Sequence, residues 1–198
     1  QIAVLRAMKG GRRRQGPPVS LLATVPEKLS ELHGETFAGD ISPISSEIQD
    51  MILGAEESLR VANPYFSQNE RLVEYLTDLP QRGVDVQILT REATSDEGRL
   101  DDTLREIVNE SSSGAGRVEI RDLFKENDDG DQVYATHAKI VVADRDECYI
   151  GSANLMTTGM SHNFEMGVSV EDRLVEEVAN LFDAVYDESE TVAFSDPG

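Results

Sequence analysis

The sequence predicts an α/β domain. Stretches with apolar residues at helical spacing alternate with short apolar runs of strand length along most of the chain. Two of these runs, Ala138–Ala143 and Cys148–Ile150, are separated only by Asp144-Arg145-Asp146-Glu147, as neighbouring strands joined by a turn would be. Hydrophobic residues make up 39% of the 198, enough for a folded core, and the length fits one domain with a short extra segment.

Taken in order, residues 1–40 read as an N-terminal extension or the remnant of a preceding region. Gly10 to Pro18 is a breaker-rich loop with the one dense basic cluster, Arg12-Arg13-Arg14; a solvated linker is its simplest reading, a contact to a phosphate backbone the sharper one. Val19 to Val25 suits a short strand ended by Pro26, Lys28 to Leu32 a helical turn, and His33 a surface position. Ser42-Pro43 has the form of a helix start, Ser as N-cap and Pro at the first helical position. Ile44, Ile48, Met51, Ile52, Ala55 and Leu59 follow on one face. Leu59–Ala62 reads as a strand ending at Asn63-Pro64, which leaves Tyr65 and Phe66 either as core rings or as a wall at a strand exit, where α/β proteins build sites. Leu72, Tyr75, Leu76 and Leu79 define a second helix closed by Pro80 and Gly83, and Val84 to Leu89 a strand. A third helix is expected from about Asp96 to Asn109, then a flexible connector over Ser111–Gly116, a strand over Val118–Ile120, and a solvated turn at Asn127–Asp131 that lacks the spacing of a calcium loop. One continuous strand is expected over Val133–Ala143, a strand over Cys148–Ser152, a polar loop over Thr157–Asn163 and a strand over Phe164–Val170. The last helix should bury Leu174, Val178, Leu181, Phe182 and Val185; the main domain spans 41–190, and 191–198 form a tail.

The charge is extreme: 38 acidic against 18 basic residues, a net of −20, and only four of the basic residues are lysine. A Lys-poor, acid-rich surface on an ordinary globular pattern looks like that of a halophile's protein, soluble through self-repulsion that salt makes tolerable. At molar salt the screening length is about 3 Å, so the net charge neither establishes nor excludes a phosphodiester partner. The single cysteine, Cys148, forbids an internal disulfide and reads as a buried, inert thiol. No apolar run approaches the roughly 18 residues of a membrane span; a cytoplasmic location is expected. The chain begins at Gln1, which suggests an excised or processed piece.

The chemistry concentrates between residues 137 and 154. His137 and Lys139 stand two apart in an apolar run, the spacing that on a strand puts both on one face. Ser152 and Asn154 repeat the spacing after the next run. An imidazole beside a fixed cation and two hydrogen-bonding side chains suits a phosphate group. With His33, His137 and His162 the only histidines and no cysteine pair, little is available to hold a metal; none is expected, nor any cofactor.

The run His137-x-Lys139-x4-Asp144-x6-Gly151-Ser152-x-Asn154 resembles the HKD signature of the phospholipase D superfamily, with every diagnostic position filled. The likeness extends less specifically from Ile41 to Glu188. It implies a phospholipase D-like mixed β-sheet flanked by helices on both faces. It also implies metal-independent phosphodiester cleavage, with His137 as nucleophile, Lys139 and Asn154 against the phosphoryl oxygens, and Ser152 binding phosphate or holding the loop. Glu165 falls where single-motif relatives place a carboxylate that pairs with the catalytic histidine. Asp144 and Gly151 are structural positions of the motif, and His162 is a surface-loop residue or a substrate contact.

One histidine cannot easily serve as nucleophile and as acid for the leaving group in the same step. The chain has one motif and no internal repeat, so a homodimer with a shared site is the expected arrangement. Nucleic acid is the expected substrate, by similarity to small single-motif endonucleases. A phospholipase or phosphatidyl transferase is the first alternative and a non-catalytic phosphate-binding module the second.

Overall fold

The computed structural model describes residues 18–26, 41–66, 70–93, 102–155 and 162–192. The basic loop up to Pro17, the Lys28–Leu32 turn, His33, the start of the third helix, Thr157–Ser161 and most of the tail lie outside the described residues.

Eleven strands and four helices are described. Nine strands form one sheet and two a separate ribbon. The strands are β1 (Val19–Thr24), β2 (Ser42–Pro43), β3 (Ser58–Ala62), β4 (Asp85–Thr90), β5 (Val118–Asp122), β6 (Phe124–Glu126), β7 (Gln132–Ala135), β8 (Ile140–Ala143), β9 (Glu147–Gly151), β10 (Glu165–Val170) and β11 (Glu190–Thr191). The helices are α1 (Ile44–Gly54), α2 (Glu70–Gln81), α3 (Asp102–Ser111) and α4 (Arg173–Asp187). The sheet runs β11-β5-β4-β3-β8-β9-β10-β1-β2, and β6 pairs only with β7. β3, β4 and β5 are parallel, as their helical crossovers require; β3, β8, β9, β10 and β1 are successively antiparallel. The sheet is therefore mixed.

Alternation along the central strands gives each face its own cover. Leu59, Val61 and Val141 point into the main core with Ile48, Met51 and Ile52 of α1, Leu76 and Leu79 of α2, and Leu104 and Ile107 of α3. Val142, Cys148 and Val170 point the other way, against Val175 and Ala179 of α4, and Ala62 and Leu89 meet Phe182 and Tyr186. Burial raises the Cys148 thiol to about 11. The helix α4 is further latched by Asp183, which pairs with Arg60 Nε at 2.6 Å and also with Arg145.

Several expectations need correction. Ser42 and Pro43 are not the start of α1: they pair with Leu22 and Ala23 as β2, so Ser42 is used by the sheet and the helix begins at Ile44 without a side-chain cap. The helix α1 ends at Gly54, and Leu59 belongs to β3. The 111–116 connector is packed rather than loose, with the Gly114 and Gly116 N–H groups bonded to Ser111 O at 3.1 Å and Pro80 O at 2.9 Å. The buried stripe of α4 is Val175, Ala179, Phe182 and Tyr186, leaving Leu174 and Leu181 42% and 67% exposed. Tyr186 wins its inward place because its hydroxyl donates to Glu119 O at 2.8 Å and its ring stacks on Phe182. Finally, β1, inside the 1–40 stretch, pairs along its whole length with β10, so the sheet draws on residues before 41.

Candidate active site

The expected long strand over Val133–Ala143 is broken. β7 ends at Ala135 in the ribbon and β8 begins at Ile140 in the main sheet. His137 and Lys139 stand on the extended segment between them, because here the chain changes partners. Thr136 N–H donates to Leu123 O at 2.9 Å, whereas Lys139 O accepts from Gly151 N–H at 3.2 Å. The change gives the two side chains different surroundings. His137 is exposed; Lys139 is 7% exposed. They nevertheless meet, with Lys139 Nζ 3.0 Å from His137 Nδ1 and 3.4 Å from Nε2, and Nζ donates to His137 O at 2.8 Å. An ammonium has only donors, so the ring nitrogen it faces acts as acceptor. Burial lowers the Lys139 pKa, and the nearby Glu165 carboxylate works against that shift.

Strand register brings the other candidates to the same end of the sheet. Ala62 pairs with Ile140, Ile140 with Ile150, and Gly151 with Gly167. The exits of β3 and β9 thus lie beside the starts of β8 and β10. Ser152 is exposed and its hydroxyl donates to Glu165 Oε2, while accepting from Met166 N–H at 3.1 Å. Glu165 Oε1 accepts from Asn163 Nδ2 at 3.4 Å. Within one chain Glu165 therefore holds Ser152 and Asn163, and His137 meets Lys139. Asn154 Oδ1 is buried without a hydrogen-bond partner, so the carboxamide keeps unspent bonding capacity. Exchanging its O and N by a flip turns that atom into a donor.

Two motif positions work from behind. Asp144, at φ 51°, accepts three backbone N–H groups: Glu56 at 2.8 Å, Glu57 at 2.8 Å and Ser58 at 2.9 Å. It ties the β8–β9 turn to the start of β3 and does not face the site. Gly151 leaves room for a ring. Tyr149, fully buried, lies across Gly151 and Gly167, and a Cβ on either would collide with it. The Tyr149 hydroxyl accepts from Ala153 N–H at 3.3 Å, holding the loop that carries Asn154. Burial raises this phenol to about 12.

Sequence reasoning did not single out Asn63, although it names the Asn63-Pro64 stop. Asn63 is wholly buried; its Oδ1 accepts from Leu155 N–H at 3.1 Å, and its Nδ2 donates to Tyr65 O. A polar residue where a buried strand stops was the available signal. Of the two rings at this exit, Phe66 is core and Tyr65 is 45% exposed. His162 is exposed. Among the described residues no group of three His, Cys, Asp or Glu is placed to hold a metal, and no helix is long and apolar enough to cross a membrane.

The mixed α/β sheet thus carries at one end an exposed imidazole, a buried ammonium against it and several hydrogen-bonding side chains. A family model described as cardiolipin synthase, PLD-like domain, matches residues 48–186, more than half of the chain; the chain belongs to this family of the phospholipase D superfamily. It is 32% identical over 144 residues to cardiolipin synthase A of Pseudomonas aeruginosa, a match covering 71% of this chain and 26% of that protein. The chain thus spans about a quarter of its curated relative's length. Among solved structures it is similar to a phospholipase D family member, Nuc from Salmonella typhimurium, with TM-score 0.59 and 16% identity over 87% of this chain and 96% of that one. It is also similar to the phosphatidylserine synthase of Haemophilus influenzae, with TM-score 0.62 and 17% identity over 87% of this chain and 39% of the other. These structural likenesses bear on the fold, a mixed sheet with flanking helices.

Proposed function

We propose that the protein is a metal-independent phosphodiesterase acting on nucleic acid through a phosphohistidine intermediate, at a site completed by a second copy of the chain. The observation that carries it is the Lys139–His137 contact at 3.0 Å beside the Asn154 loop. A phosphodiester anion is a better partner for an ammonium than a neutral ring nitrogen is. On substrate binding Lys139 moves its hydrogen bonds to the non-bridging oxygens, and the imidazole is released to attack. Asn154 donates to the same oxygens, and Ser152 holds the loop or the phosphate. A ring nitrogen forms a bond to phosphorus as the bond to the leaving oxygen breaks, and that oxygen takes a proton from the histidine of the second subunit. Water then displaces the imidazole from phosphorus, losing its proton to the same histidine, which is thereby reset.

Glu165 is the orienting carboxylate of this scheme. Its hydrogen bonds within one chain go to Ser152 and Asn163, and in this scheme the imidazole it orients is that of the second subunit. The acid-rich surface fits work at high salt, where electrostatic repulsion of a polyanion is screened.

Cleavage of single- and double-stranded DNA and RNA in EDTA at high salt tests the assignment, with headgroup release from phosphatidylglycerol vesicles run beside it. Cleavage of nucleic acid that disappears in His137→Ala supports it. Headgroup release with nucleic acid left intact would move the chain to the lipid-acting side of its family.

A further inference from the structure

Near the candidate site stands a cation–aromatic cluster that the proposed mechanism leaves unused. The Arg91 guanidinium packs over two rings, 5.6 Å from the centroid of Tyr65 and 5.1 Å from that of Phe124. Its side chain is only 12% exposed, and its charge is met by Glu92, whose Oε1 accepts from Nε at 2.9 Å and also from a terminal nitrogen. Arg91 is thus occupied by Glu92 and the two rings. Tyr65 is 45% exposed. Both rings are fastened to segments that carry the candidate site residues. Phe124 pairs with Ala135, two residues before His137, and Leu123 O accepts from Thr136 N–H. On the other side Asn63 bridges Tyr65 O and the N–H of Leu155, next to Asn154.

We propose that Tyr65, backed by Arg91 and Phe124, is the stacking platform for one base of a single-stranded nucleic acid whose phosphate lies at His137. This rests on the nuclease reading and extends it to the substrate's form. A half-exposed ring already held by a guanidinium loses little freedom when a planar partner lies on it, and every base offers such a face. An acyl chain gains nothing from such stacking; it needs a long apolar groove. A paired base cannot present its face, so the platform selects unpaired strands.

The test compares wild type, Tyr65→Ala and Tyr65→Phe on three substrates: a single-stranded oligonucleotide, the same strand with abasic sugars flanking the scissile phosphate, and phosphatidylglycerol vesicles. One lost base stack predicts a KM about 5- to 150-fold higher for Tyr65→Ala on the base-bearing strand, with kcat little changed. Tyr65→Phe keeps the wild-type KM. On the abasic strand all three proteins match, which also shows that the Ala variant is folded. Equal losses on both strands, or none on either, would overturn the platform while leaving the nuclease reading intact. Turnover of vesicles alone by the wild type would overturn both.

Discussion

Lys139 carries two opposed demands. Burial penalises its charge, while the proposed chemistry needs that charge against the phosphoryl oxygens. The lowered folded pKa means that the unfolded chain binds this proton more tightly. Lys139 therefore subtracts stability at neutral pH, and the penalty fades as pH rises through the depressed value toward that of ordinary lysine. Lys139→Met should accordingly raise the denaturation midpoint at pH 7 while lowering kcat/KM by about 10²-fold or more, measured by chemical denaturation and steady-state cleavage. Asp144 predicts the reverse. It accepts three N–H groups away from the site, so Asp144→Ala should cost about 2–3 kcal/mol of stability. Asp144→Asn keeps one carbonyl oxygen and tolerates positive φ, so it should recover most of that loss. At this scale the motif's residue types were legible, since His, Lys, Ser and Asn in that spacing have few other uses together. The roles of Asn63 and Tyr149 were not, because they depend on contacts between segments far apart in the chain.

At the scale of elements, local periodicity located most helices and strands but not always their registers. α4 shows why. Its leucines at 174 and 181 suggest one inward stripe, yet the helix turns Val175, Ala179, Phe182 and Tyr186 to the sheet. Small Ala179 allows close approach, Arg121 caps the helix end through the carbonyls of Tyr186 and Asp187 at 3.0 Å and 2.9 Å, and Tyr186 needs its buried acceptor. Phe182→Ala should then cost about 3–5 kcal/mol, whereas Leu181→Ala should stay within about 0.5 kcal/mol of wild type in the same denaturation assay. The β6–β7 ribbon was illegible for a different reason. Its strand-forming run continues into β8 without a turn or breaker residue, and only the switch of pairing partner at Thr136 divides them. That division matters, since it puts His137 on an exposed segment instead of a sheet strand.

For the whole molecule, alternation of elements was enough to anticipate an α/β domain, while the mixed sheet with helices on both faces was expected from the resemblance carried by residues 137–154. The contribution of β1 to that sheet was harder to see, because a strand edge far in sequence from its partner leaves no local mark. The net charge of −20 also acts at this scale. Self-repulsion should make the melting temperature climb steadily from low salt to molar KCl, and light scattering in molar salt should give the mass of a dimer; a strict monomer that still cleaves would remove the shared site. The most direct test of the central claim is the mass of the protein trapped during turnover. An oligonucleotide reaction run in EDTA and quenched in alkali, where a nitrogen–phosphorus bond survives, should yield a peptide containing His137 that carries the phosphoryl end of the cleaved strand. Active turnover with the adduct on another residue, or undiminished cleavage by His137→Ala, would contradict it.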